Sequence, residues 1–143
     1  MTEKSKIKPE AEKVLQYCEV YKKKIDKATE EDYFTYEYVP KEEFDPKKIG
    51  DEIVAVLESY SPEEAETIPI DYLIWSGTES GIDWAVVFAR YTDGLYLVFS
   101  GAPLRPTTIL YEGQNFDEAL KAFKKEWEQY IEAILEVEEE EKR

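Results

Sequence analysis

Residues 70–111 read IDYLIWSGTESGIDWAVVFARYTDGLYLVFSGAPLRPTTILY, and this stretch decides the fold. Apolar, aromatic and β-branched residues fall in four short runs, 70–75, 82–91, 95–100 and 107–111. Gly, Ser, Asp and Pro punctuate the breaks between them. Such runs predict β-strands, because branched and aromatic side chains pack well on a pleated surface. The break Thr92-Asp93-Gly94 suits a hairpin, with Gly94 free to take positive φ. The breaks at 76–81 and 101–106 are also short. Parallel neighbours would need crossovers on the order of a dozen residues, so these connections predict an antiparallel meander.

The run 82–91 fixes how the sheet is clothed. Alternation puts Ile82, Trp84, Val86 and Phe88 on one side and Ala85, Val87 and Ala89 on the other. Neither side is polar, which predicts cover on both faces. The flanking segments can supply it. Pro9 suits a first helical turn, and Val14, Leu15, Cys18, Tyr21 and Ile25 then recur at helical spacing, predicting a helix over 9–29. Residues 33–39 crowd aromatics with a β-branched residue and stop at Pro40, which reads as a further strand with Phe34, Tyr36 and Tyr38 on one face. Asp45-Pro46 is a helix start, with Ile49, Ile53, Val56, Leu57 and Tyr60 as its buried face; Ser61-Pro62-Glu63-Glu64 repeats the signal for a short turn to Thr67. Asn115 followed by Glu118 opens the last helix, whose stripe is Phe116, Leu120, Phe123, Trp127, Ile131 and Ile134 or Leu135. The expected fold is therefore α+β: an antiparallel meander of four or five strands packed with three helices. It forms one domain over 1–143, with 1–8 and 138–143 frayed.

Composition narrows function mainly by exclusion. With 143 residues, of which 43% are hydrophobic, the chain can bury a core without staples. Histidine is absent, which removes Ser-His-Asp and Cys-His catalysis and imidazole zinc sites. The sequence assigns no catalytic residue, metal ligand or cofactor, and the expectation is a protein that is not an enzyme. Cys18 is the one cysteine, so no internal disulfide exists, and its apolar neighbours mark it as a core residue. No apolar run approaches the roughly 18 residues of a membrane helix. Nor does the N-terminus have a signal-peptide core, so the expected compartment is the cytoplasm. One asparagine and one methionine beside abundant Glu and Lys fit a thermophilic source.

Charge supplies the positive reading. No lysine occurs between Lys48 and Lys121; residues 49–120 hold thirteen acids against Arg90 and Arg105. Of the formal net charge of −15, −11 lies there. Such a chain is a poor direct binder of nucleic acid and is repelled by anionic membranes. It suits a basic protein surface, including that of a nucleic-acid-binding protein, for which the chain would act as a mimic or inhibitor. The expected contacts are Glu58, Glu63, Glu64, Glu66, Asp71, Glu79 and Asp83, with Tyr36 and Tyr38. A plainer reading takes the same charge as a solubility device. The alternative function is a small polar ligand- or metal-binding domain using the loops 76–81 and 101–106, which meander topology brings to one sheet end. Thr78, Glu79, Asp83 and Arg105 would be its polar contacts, although these are also ordinary turn residues or ion-pair partners. An aromatic strand at 33–39 on a sheet edge would equally serve a homodimer.

Overall fold

A computed structural model describes residues 7–43, 51–59, 70–78, 84–102 and 105–141. Five strands form one antiparallel sheet in the order β1-β2-β3-β4-β5. They are β1 (Phe34–Pro40), β2 (Ile70–Thr78), β3 (Trp84–Tyr91), β4 (Tyr96–Ala102) and β5 (Arg105–Gly113). The α-helices among the described residues are α1 (Pro9–Thr29), α2 (Asp51–Ser59) and α3 (Phe116–Glu141), with a single 3-10 turn at Lys41–Glu43. The α+β meander with three helices is therefore as expected. The Asp45-Pro46 start and the turn after Ser61 lie outside the described residues.

Alternation in β3 sorts the core into two layers. Val86 and Phe88 meet α1 and α3 through Val14, Cys18, Tyr21, Phe123 and Trp127. Val87 and Ala89 face the opposite way, toward Leu57 of α2 with Leu73, Leu97 and Phe99. Both faces of this central strand are thus covered. Phe34, Tyr36 and Tyr38 of β1 all join the α1/α3 layer, as their spacing predicts. The two long helices run side by side in the same direction. Lys13 lies over the Phe116 ring, Lys124 over Tyr17, and Tyr21 stacks on Trp127.

Local chemistry sets the ends. Asn115 Oδ1 accepts the Glu118 amide at 3.0 Å, which caps α3 as its sequence predicts. No side chain caps α1; the Lys8 carbonyl takes the Ala11 and Glu12 amides, and Ile7 packs against the core. α1 stops at Glu30, which adopts the left-handed conformation at φ 58°. At the far end α3 continues through Glu141. Glutamate is a good helix former, and that propensity carries the run on despite the unfavourable charge at the helix C-terminus.

The largest correction concerns 76–78. These residues are not loop: β2 runs to Thr78, and Ser76, Gly77 and Thr78 are buried. The Ser76 hydroxyl donates to the Val86 carbonyl at 2.8 Å and accepts from the Trp127 indole N–H at 2.9 Å. Gly77 is required there, since a Cβ would sit 3.0 Å from the Trp84 carbonyl oxygen. Likewise Gly101 and Ala102 belong to β4, and Arg105 opens β5. Two irregularities in the β4–β5 register, between Val98/Phe99 and Ser100/Ala102, let both strands run past the expected bounds.

Candidate interaction surface

The β3–β4 turn marks one end of the sheet. Tyr91 and Leu95 close it, with the Gly94 amide returning to the Tyr91 carbonyl and Gly94 at φ +95°. Pairing of Tyr96 with Gly113 brings the end of β5 to the same place, and α3 starts three residues later. Phe116 fixes that helix start by packing edge-on against Phe88 and Tyr96. Topology therefore sends Asp93, Glu112, Asp117 and Glu118 to one end, and all four are exposed. On the α1 side of this end stands Lys13.

Arg90 does not offset those charges, because it is consumed inside. Its guanidinium pairs with Asp71 and, through Nε at 3.2 Å, with Glu10. Glu10 also accepts the hydroxyls of Tyr96 at 2.6 Å and Tyr72 at 3.0 Å. One carboxylate from the first turn of α1 thus ties β2, β3 and β4 together. Burial pushes the Tyr72 hydroxyl far above the ordinary tyrosine range, reinforced by the Glu10 charge, so it stays a donor at any physiological pH. Nothing in the sequence marked Glu10, which looks like any first-turn acid. Arg90 was the available signal: a charge in a strand that is apolar on both faces has to find partners.

A second polar cluster lies where α1 meets β1. Asp26 Oδ1 accepts the amides of Tyr33 and Phe34, each at 2.9 Å. Lys22 donates to the Phe34 carbonyl at 3.0 Å, to Asp26 at 2.8 Å and to Asp32. Burial disfavours the Asp26 carboxylate, but the bonds from Lys22, Phe34 and Tyr33 outweigh it and hold the carboxyl below the usual aspartate range. Cys18 is fully buried, and desolvation raises its thiol far above the reactive range.

The four expected contact residues that are described, Glu58, Asp71, Tyr36 and Tyr38, are dispersed. Glu58 is exposed on α2, on the opposite side of the sheet from α1 and α3. Asp71 is held by Arg90, with its side chain 18% exposed. Tyr36 donates to Glu19 at 2.6 Å; burial and that bond push its hydroxyl up to about 12. Tyr38 stacks on Tyr72 with ring centroids 5.6 Å apart. Glu63, Glu64, Glu66, Glu79 and Asp83 lie outside the described residues. Of the alternative ligand set, Thr78 is buried with its hydroxyl beside Tyr130. Arg105 and its strand do lie at the same sheet end as Thr78, as the pairings Thr78↔Trp84, Ala85↔Gly101 and Ala102↔Arg105 require. Its side chain is outside the description. Among the described residues no group of three acids or cysteines could hold a metal ion. No described helix is long and apolar enough to cross a membrane. No family model matches the chain, and comparison with curated proteins and with solved structures finds no significant similarity.

Proposed function

We propose that the chain is a non-enzymatic acidic interaction protein that binds a basic protein surface, in the manner of a nucleic-acid mimic or inhibitor. One observation carries this reading. Asp93, Glu112, Asp117 and Glu118 stand exposed at the sheet end where Arg90 is neutralised internally by Asp71 and Glu10. The strands β2 to β5 contain no lysine to dilute them. Carboxylates on rigid elements present a fixed pattern, which gives complementarity and fast, salt-dependent association. A solubility device would need the charge but not the pattern.

Affinity capture on the immobilised protein, with elution by a salt gradient, tests it. The triple variant Glu112→Gln, Asp117→Gln, Glu118→Gln serves as control. Basic proteins should be retained by the native protein at low salt and released as salt rises, and the variant should release them earlier. Equal retention by both proteins would leave these carboxylates with solubility as their only role.

A further inference from the structure

The sheet has two edges, and among the described residues side chains bond the backbone at only one of them, at the start of β1. At β1, Asp26 takes the amides of Tyr33 and Phe34, Lys22 takes the Phe34 carbonyl, and Pro40 has no amide to offer. An approaching strand therefore meets groups already used at Phe34 and no amide at Pro40, the two ends of β1. At β5 no described side chain bonds the backbone between Thr107 and Gly113, and the strand is the last in the sheet order. Thr108, Ile109 and Glu112 are exposed, with Ile109 at 39%. Edges are usually blunted by lysine, proline or an inward charge; β5 has Pro106 at its start, and residues 107–113 contain neither lysine nor proline.

We propose that β5 is a docking edge, and that its occupant is an extended, Lys/Arg-bearing segment of the partner, added as a sixth strand. This rests on the acidic-interaction reading and names its mode. Unpaired amides and carbonyls recognise an extended backbone, while alternate side chains give selectivity. Ile109 lies opposite Phe99 in the β4–β5 register and offers an apolar position in mid-strand. Glu112 on the strand, with Asp93, Asp117 and Glu118 beyond its end, offers an excess of carboxylates over the single Lys13 nearby. A second copy of this chain, also at −15, would bring like charges to that edge, whereas a basic segment brings opposite ones.

The probe is an eight-residue peptide alternating lysine and valine. Two controls of equal charge accompany it: the same peptide N-methylated at alternate amides on one edge, and a lysine–proline peptide unable to form a ladder. Amide hydrogen exchange of the full chain is followed at low and high salt. The lysine–valine peptide should slow alternate amides within 107–113 at low salt and leave β1 unchanged. Ile109→Lys should weaken it roughly tenfold. If the lysine–proline peptide binds as well, the charge reading stands and the docking edge is overturned. If no peptide binds at low salt, both fail. Slowing at β1 instead of β5, or sedimentation of the free protein as a dimer with β5 amides already protected, overturns the assignment of this edge to a basic segment.

Discussion

β1 and β5 occupy equivalent positions at the two rims of one sheet, yet their backbones are treated oppositely. β1 sits beside the end of α1 and is shielded by two of its side chains, Lys22 and Asp26. β5 is followed directly by α3, whose stripe turns onto the sheet face, and no described side chain bonds the backbone of residues 107–113. The difference teaches that edge protection here is a by-product of where charged helix residues land. It does not follow from strand composition, because β1 with its three aromatics is by sequence the stickier strand.

The comparison breaks most severely if α1 is loosened. Glu10→Ala should cost roughly 3 kcal/mol in urea unfolding, because Arg90 loses an ion partner and the buried Tyr72 hydroxyl loses its acceptor. The guard of β1 rides on that helix, so exchange at Phe34 should quicken as well. Asp26→Ala removes the guard alone. Two amides lose their acceptor, for a cost of about 2 kcal/mol, and sedimentation should reveal concentration-dependent association through β1.

Acid should produce the same opening reversibly. The folded Asp26 pKa is depressed, so its contribution is fully present above the ordinary aspartate value and disappears as pH falls through the lowered one. Stability followed across the acidic range should fall there, and Asp26→Asn should remove that part of the slope; β5 exchange should show no matching step. Tyr21→Phe makes a finer test. The Tyr21 hydroxyl is buried without a hydrogen-bond partner among the described residues, so its loss should leave stability unchanged or raise it by up to about 1 kcal/mol, with both edges unaltered. Smallest of all, Ile109→Lys should change unfolding stability by no more than about 0.5 kcal/mol, since the residue is exposed. A larger loss would mean that Ile109 supports the core and is not free at the rim.

Much of the fold was legible because its signals are local. Alternation in β3, the stripe of α3 and the Asn115 cap each need only a few neighbouring residues. Ser76-Gly77-Thr78 misled because its composition is that of a turn, while the partner of Ser76, Trp127, is more than one element away. No local rule tells that a serine will be wanted by an indole on another helix. The charged clusters failed for the same reason. The i,i+4 spacing of Lys22 to Asp26 is visible in the sequence, but the Phe34 carbonyl that Lys22 reaches is not. The acidic middle was readable as a count, and topology then gathered Asp93, Glu112, Asp117 and Glu118 at one end while placing Glu58 on the other side of the sheet and spending Asp71 on Arg90.

The two attachments of α1 also differ in reach along the chain. Asp26 meets Tyr33 and Phe34 seven and eight residues ahead, whereas Glu10 meets Tyr72 and Tyr96 across 62 and 86 residues. As the polypeptide leaves the ribosome, the first contact can form as soon as β1 emerges; the second must wait for β4. The start of β1 can therefore be tied to α1 by short-range contacts before the strands it pairs with have been made, whereas the Glu10 contacts close only with the sheet.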